Sequence, residues 1–264
     1  HAPAEVGNGY AGVAAGSHHS LGFKVDGTLW AWGGNSVGQL GLGDTTDRHA
    51  PAQAGSGCTG VAAGNIYSLG LQANGSLWAW GRNIYGQLGL GDETDRTIPT
   101  RVGTATSWVA AAAGSGHSLG LRSTGSLYAW GRNTYGQLGL GDTANRDTPT
   151  LTASLYFVAV AAGVTHSLGL KGDGSLYAWG HNDSGELGLN DTANRNTPTR
   201  VGIDNDWVAV AAGNHSLALK ADGTLWAWGD NGFGKLGLGD NTDRLSPTKV
   251  PKFNAARIAV IPLN

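Results

Sequence analysis

Short apolar runs broken by glycine recur along the whole chain, and their period is the first thing the sequence offers. In one unit, "VAVAAG" (Val158 to Gly163) is an apolar run, and "HSLGLKGDGSLYAWG" (His166 to Gly180) is two more runs joined by Asp-Gly. Alternation within "LWAWG" sends Leu29 and Ala31 to one face and Trp30 and Trp32 to the other. Such runs of Val, Leu, Thr and Trp with period two predict short strands. The joint recurs as Asp26-Gly27, Asn74-Gly75, Thr124-Gly125, Asp173-Gly174 and Asp222-Gly223. Asp-Gly and Asn-Gly between alternating runs are hairpin signals, with positive φ expected at both central residues. After the second run comes a glycine-punctuated loop, "GQLGLGD", and then "TPTRV", a short outer strand whose proline suits an edge. No segment carries a helix start.

The unit repeats. Trp32, Trp80, Trp130, Trp179 and Trp228 are spaced by 48, 50, 49 and 49 residues, and Gly16, Gly64, Gly114, Gly163 and Gly213 keep the same step. Four short strands per period of 40 to 50 residues are the mark of a β-propeller blade. One small sheet cannot bury both faces, whereas stacked copies cover one another. The chain 1–264 is therefore expected to be a single all-β domain, with repeat cores at about 14–61, 62–111, 112–160, 161–210 and 211–260. "PAEVGNGYAGVAAG" at the start and "PTKVPKFNAARIAVIP" at the end are the same segment, so it occurs six times and the hairpin core five times. This predicts five four-stranded blades closed by overlap of the N- and C-terminal segments; the alternative is part of a six- or seven-bladed ring, with an open edge.

Composition agrees with strands and turns. There are 45 Gly, 10 Trp and no Met among 264 residues, and only 14% are charged, against about 25% in an average domain. The net charge is −2 with no basic run, which argues against nucleic acid as a partner. No apolar run approaches the ~20 residues of a membrane span. The single Cys58 excludes an internal disulfide and a cysteine-based metal site. Low charge with abundant Gly, Ser, Thr, Asn and Trp is the style of an exported protein, secreted or at a cell surface, and the near-identical copies suggest a bacterial one. A monomer is expected.

The words "AAGxxHSLxL", "GxLxAWGxNxxGQLGLGD" and "R-x-x-P-T" resemble those of the regulator of chromosome condensation repeat family, over almost the full chain. The resemblance implies a β-propeller, most often of seven blades. Members include nucleotide-exchange factors on chromatin, a plant UV-B photoreceptor and a secreted bacterial β-lactamase inhibitor, so the fold alone does not fix function. The photoreceptor's "GWRHT"-type motif and the chromatin-bound member's basic tail are both missing here.

Groups that recur once per unit are expected to serve the scaffold. His19, His117, His166 and His215 share one position, with Tyr67 in the fifth copy; a hydrogen bond to a neighbouring loop suits both residue types better than a metal ring does. Asp44, Asp92, Asp142, Asp191 and Asp240 each precede an Arg by four residues (Arg48, Arg96, Arg146, Arg195, Arg244), which predicts a loop clasp rather than acid–base chemistry. A copper site at His1 with a second His (His18, His19 or His49) is the minor alternative to a chance terminus. No nucleophile elbow, triad, phosphate loop or zinc motif occurs. Neither a catalytic group nor a cofactor is expected.

Specificity is then sought where the copies differ. After "AWG" come Gly34, Arg82, Arg132, His181 and Asp230; two residues past the shared Asn come Val37, Tyr85, Tyr135, Ser184 and Phe233. Tyr, Phe and Arg are common interface anchors. The expected function is a non-catalytic binding scaffold for a protein partner, using one propeller face with Arg82, Tyr85, Arg132, Tyr135, His181, Asp230 and Phe233. The alternatives are a carbohydrate-binding propeller and a symmetric scaffold with no ligand, natural or engineered. A second variable set, Tyr10, Trp108, Tyr156, Phe157 and Trp207, lies before the inner strand, with core packing expected for Trp108 and Trp207.

Overall fold

In a computed structural model describing residues 5–251, the apolar runs are strands and the glycine clusters are turns. Twenty strands form five separate four-stranded antiparallel sheets. Blade 1 holds β1 (Tyr10–Ala15), β2 (His19–Lys24), β3 (Leu29–Gly33) and β4 (Arg48–Gly55). Blade 2 holds β5 (Cys58–Ala63), β6 (Tyr67–Gln72), β7 (Leu77–Gly81) and β8 (Arg96–Arg101). Blade 3 holds β9 (Trp108–Ala113), β10 (His117–Arg122), β11 (Ser126–Gly131) and β12 (Arg146–Tyr156). Blade 4 holds β13 (Ala159–Ala162), β14 (His166–Leu170), β15 (Leu176–Gly180) and β16 (Arg195–Arg200). Blade 5 holds β17 (Trp207–Ala212), β18 (His215–Lys220), β19 (Leu225–Gly229) and β20 (Arg244–Lys249). Each sheet keeps chain order from inner to outer strand. The inner strands β1, β5, β9, β13 and β17 share a central channel of about 430 Å³, lined by small residues such as Gly16, Gly64, Gly114, Gly163 and Gly213.

The hairpin joints differ in detail from the expectation of positive φ at both central residues. Gly27 N–H donates to Lys24 O at 2.8 Å and Lys24 N–H to Thr28 O at 2.9 Å, while Gly27 alone has positive φ, +80°. That is a three-residue loop ending in a left-handed glycine. Asp26 stays in ordinary backbone space because its carboxylate turns the chain locally: Oδ1 accepts from Thr28 N at 2.9 Å and Thr28 Oγ1 at 2.7 Å.

The core lies between blades. The Leu/Ala face of one sheet meets the Trp face of the next: Leu69, Leu77, Ala79 and Leu88 of blade 2 pack with Trp108 and Trp130 of blade 3. Trp80, Trp130, Trp179 and Trp228 are fully buried. Burial of a Trp removes about 150–250 Å² from water, several kcal/mol gross at roughly 25 cal/mol per Å². Glycine makes this possible at Gly89: it has φ +72°, and a Cβ there would lie 2.8 Å from Trp130 Nε1.

Four seams join blades 1 to 5 in order by one repeated bond set. At the junction of blade 5 with blade 1, among the described residues, the set is missing: Trp32 makes no indole hydrogen bond and is only partly buried, and His215 and Leu217 are half-buried where their counterparts in blades 1 to 4 are buried. Closure by overlap of the terminal segments rests on 3–16 and 247–262; the parts at 3–4 and 252–262 lie outside the described residues.

Candidate functional site

At each seam, the loop after the third strand offers one backbone carbonyl to the next blade. Trp80 Nε1 donates to Gln39 O at 2.9 Å and Ser68 Oγ to the same oxygen at 2.8 Å. Trp179 and Ser167 hold Gln137 O at 2.9 and 2.8 Å, and Trp228 and Ser216 hold Glu186 O at 2.9 and 2.7 Å. Because the serine hydroxyl donates to the carbonyl, it accepts from histidine in the preceding blade: His19 Nε2 lies 2.8 Å from Ser68 Oγ, His117 Nε2 3.0 Å from Ser167 Oγ, and His166 Nε2 2.8 Å from Ser216 Oγ. Tyr67 takes the place of the histidine with a longer reach: its hydroxyl donates to His117 O, and its oxygen lies 3.0 Å from Ser118 Oγ. The histidines are thus seam pins, as their once-per-blade spacing suggested. Burial pushes His19 and His117 down to about 4 and His166 to about 3, so all three are neutral.

The Asp/Arg pairs are clasps. Asp44–Arg48, Asp92–Arg96, Asp142–Arg146, Asp191–Arg195 and Asp240–Arg244 close at 2.5–2.6 Å. Asp92 Oδ1 also accepts from Thr94 N at 2.8 Å. The Arg96 hydrogen bond comes first, then that backbone bond, in holding the Asp92 carboxyl below the usual range.

A keystone went unrecognised in the sequence. Asn83 is fully buried with its polar atoms satisfied: its N donates to Asp95 Oδ1 at 2.7 Å, Nδ2 to Asp92 O at 2.8 Å, and Oδ1 accepts from Leu88 N at 2.9 Å. Asn35, Asn133, Asn182 and Asn231 are buried alike. Their identity in all five copies was the available signal.

The residues that vary between copies come together over blades 2 to 4. Arg132 Cζ lies 5.2 Å from the Tyr85 ring of the preceding blade and 6.0 Å from the Tyr135 ring of its own. Tyr135 meets His181 of the next blade edge to face, centroids 4.6 Å apart. His181 in turn stands 3.1 Å from Asp183 Oδ2 and 3.5 Å from Glu186 Oε1. Four of the seven expected face residues therefore form one ladder, Tyr85–Arg132–Tyr135–His181, across three blades. Arg82 is partly buried, and its Nε is buried without a hydrogen bond; the preceding blade has Val37 at the position of Tyr85, which offers no ring face. Asp230 is taken by Lys235, 2.5 Å away.

Phe233 is fully exposed, with φ +67°. The loop differs from its counterparts at Asp230, Gly232 and Lys235, and Asp230 Oδ1 accepts from Gly232 N at 2.8 Å. Gln87 Oε1 accepts from Tyr85 N at 2.9 Å and Gln137 Oε1 from Tyr135 N at 2.9 Å. Lys235 occupies that place in blade 5 and cannot accept, and a 3-10 turn, Gly232–Gly234, forms there instead. Of the second variable set, Trp108, Phe157 and Trp207 are buried, Tyr10 is partly buried and Tyr156 is exposed.

Cys58 is buried and its thiol is pushed up to about 11 by burial, far from a reactive thiolate. Among the described residues no group of three or more His, Cys, Asp or Glu could hold a metal, and no helix is long and apolar enough to cross a membrane. His1, the copper alternative, lies outside the described residues.

The family model described as "Regulator of chromosome condensation (RCC1) repeat" matches residues 26–71, 74–121, 124–170, 173–219 and 222–261. The first match begins in the turn before β3 and ends in β6, so the sequence repeat runs from one blade into the next. The solved structure of human WBSCR16 is similar at 26% identity and a TM-score of 0.82, over 91% of this chain and 67% of that one. Yeast RCC1 (Prp20), seen bound to Kap60, matches at 26% and 0.82, over 92% of this chain and 64% of that one. Prp20p from Saccharomyces cerevisiae, described with its binding to Gsp1p and histones, matches at 26% and 0.82, over 92% and 65%. The chain spans about two thirds of the length of these proteins.

Proposed function

The chain belongs to the regulator of chromosome condensation (RCC1) repeat family, and on that premise we propose that it is a non-catalytic binding scaffold whose partner is a protein. The observation that carries this is the ladder Tyr85–Arg132–Tyr135–His181, with Arg82 of blade 2 and Asp230 and Phe233 of blade 5 at the corresponding loop positions. Aromatic rings and Arg, set beside groups that exclude water, are what protein interfaces use as anchors. Scaffold positions are nearly identical in every blade, so these loop ends are where one blade differs from the next. Prp20p, described with binding to Gsp1p and histones, supports a protein partner by likeness. A sugar would need open aromatic faces; here Arg132 lies over Tyr85 and Tyr135, which favours a protein.

The test is affinity capture from the native source, identified by mass spectrometry, comparing the wild-type chain with a variant carrying Ala at Arg82, Tyr85, Arg132 and Tyr135. Loss of one reproducible protein partner with the fold intact is expected. Undiminished capture by the variant overturns the assigned face, and saturable binding of one sugar class on a glycan array replaces the protein partner with a carbohydrate. We also place the protein at the cell surface or outside the cell, on its low charge and Gly/Ser/Thr/Asn/Trp-rich composition; recovery only from the cytosolic fraction overturns that placement.

A further inference from the structure

Four of the five blades carry an aromatic ring at or just before the inner strand, wedged against the third strand. Trp108 meets Tyr128 edge to face at 5.4 Å and lies 5.9 Å from Trp130. Phe157 lies 5.9 Å from Tyr177 and 5.8 Å from Trp179, and Trp207 lies 5.9 Å from Trp226 and 6.3 Å from Trp228. Tyr10 stands 6.3 Å from Trp32. In blades 1, 3 and 4 the wedge rests on a glycine of the second strand: a Cβ at Gly22 would come within 2.7 Å of Tyr10, one at Gly120 within 2.6 Å of Trp108, and one at Gly169 within 2.5 Å of Phe157; blade 5 has Ala218 there.

Blade 2 keeps the seat and lacks the ring. Cys58 stands where the others have Tyr, Trp or Phe, and above Gly70 the nearest atoms belong only to Trp80. Three more reductions coincide there. Ala54 replaces the valine found at Val102 and Val201. Between Ala54 and Cys58 the link is Gly55-Ser56-Gly57, whereas residues 103–107 separate Val102 from Trp108 and bring Ala105 onto the core. Gln72 replaces the cation that lies over the wedge in other blades, as Arg122 does 4.9 Å from Trp108 and Lys220 4.8 Å from Trp207.

What remains is a cavity of about 230 Å³ walled by Leu29, Ala54, Cys58, Gly70, Trp78 and Trp80, with exposed Ser56 at its edge. An apolar cavity of ~150 Å³ is enough to take benzene, so this one has room for a fused bicyclic ring. Gln72 lines it too, and its side-chain amide has no hydrogen-bond partner among the described residues. In the filled blades Trp108 Nε1 and Trp207 Nε1 are buried without an acceptor. Gln72 stands in the register position from which Arg122 and Lys220 lie over those rings.

We propose that the seam between blades 1 and 2 is a binding site for a small neutral planar aromatic molecule of the indole class, seated where Trp108 sits in blade 3. The ring lies over Gly70, edge to face with Trp78 and tilted against Trp80, as Trp108 lies against Tyr128 and Trp130, with Gln72 on the side where Arg122 lies over Trp108. The seat is pre-formed because the same backbone holds a covalent ring in four other blades, so little ordering is needed on binding.

The test is titration of the full-length chain with indole by calorimetry and by thermal unfolding. The wild-type chain is expected to bind one indole saturably and to melt at higher temperature with it. Cys58→Trp, which copies the ring of Trp108, fills the seat: it should bind indole at least about ten-fold more weakly and melt higher without ligand. Cys58→Phe, which copies Phe157, makes the same comparison if the indole variant folds poorly. Cys58→Ala keeps the cavity and should keep binding, which separates occupancy from thiol reaction. No saturable indole binding by the wild-type chain, or equal binding by Cys58→Trp or Cys58→Phe, overturns the proposal.

Discussion

Trp130 donates its indole N–H to the backbone carbonyl of Gln87, 2.9 Å away in the preceding blade, and Ser118 Oγ donates to the same oxygen at 2.8 Å. The loop after the third strand is thereby fastened to the core of its neighbour, as Gly91 N–H also fastens it to Asp147 O of that blade's outer strand at 2.9 Å. The indole brings two things at once, apolar area and a directed donor, which is why Phe is not an equal replacement. Trp130→Ala should destabilise the protein by roughly 3–5 kcal/mol. Trp130→Phe keeps most of the packing and should cost less, about 1–3 kcal/mol, for the lost indole hydrogen bond and the lost volume, since Ser118 still donates to the carbonyl. Urea unfolding midpoints check both; a Trp130→Phe variant as stable as the wild type would mean that the hydrogen bond contributes nothing, and equal costs for the two variants would mean that the ring packing contributes nothing.

The serine pins offer an internal control. Ser68 is buried and joined to His19 and Gln39, whereas Ser20, its counterpart in blade 1, is only partly buried and has no side-chain hydrogen bond among the described residues. Ser68→Ala strands His19 Nε2 and should cost about 1–3 kcal/mol. Ser20→Ala should stay within roughly 0.5 kcal/mol. Similar losses in the two variants would show that Ser20 too is pinned, and so that blade 1 is closed on its free side.

Stability should fall with acidification through a window set by the pins. His19, His117 and His166 titrate at about 4, 4 and 3 when folded, because burial disfavours the charged ring, while the unfolded chain titrates them at the ordinary 6.5. Below 6.5 the unfolded chain therefore binds more protons than the folded one, and stability present above that pH is lost as pH drops towards the folded values. Each histidine contributes a slope on the order of 1 kcal/mol per pH unit. The clasp aspartates, whose folded pKa is lowered, keep their contribution until more acid pH. Chemical unfolding at a series of pH values should show the slope, and His117→Gln, which retains a donor towards Ser167, should reduce it. A flat profile between pH 6.5 and about 4.5 would contradict neutral buried histidines.

The keystone asparagines should matter more than their polarity suggests. Asn83→Ala removes the bonds to Asp92 and Leu88 that shape the loop 83–95. It leaves a buried N–H without a partner, at about 1–3 kcal/mol, and should open that loop to proteolysis before the others. Limited digestion mapped by mass spectrometry reads this directly; cleavage distributed as in the wild-type chain would count against the role.

The face ladder should be almost free of structural cost. Tyr85, Arg132 and Tyr135 are half-buried, and a cation–π contact at such a site contributes about 0.5–1 kcal/mol. Arg132→Ala should therefore shift the unfolding midpoint only slightly. A collapse of stability in that variant would make Arg132 a scaffold residue and leave the capture experiment without a usable control.

Much of the candidate site was legible in part. That Arg82, Tyr85, Arg132 and Tyr135 vary where the scaffold does not could be read from the repeat; that Arg132 lies over a ring from a different blade could not. Phe233 looked equivalent to Tyr85, yet a lysine two residues on cannot accept the backbone N–H that Gln87 accepts, and the loop folds differently. The joints at Asp26-Gly27 were recognised as hairpins while their backbone class was not, because the Asp carboxylate bonds to Thr28 and spares Asp26 a positive φ.

From the order of residues alone came whatever depends on neighbours along the chain: the step of about 49 residues, four strands per unit, the alternation that puts Trp opposite Leu and Ala, and the Asp/Arg clasp. Folding in three dimensions decided whatever depends on how one sheet is turned against the next. Trp130 found Gln87, Tyr67 reached Ser118, and Cys58 left a hole where blade 3 places the ring of Trp108. Short-range bonding obeys spacing and torsion preferences that any copy of the repeat carries within itself, whereas the seams and the cavity arise only when two copies meet, and their geometry is written in neither copy by itself.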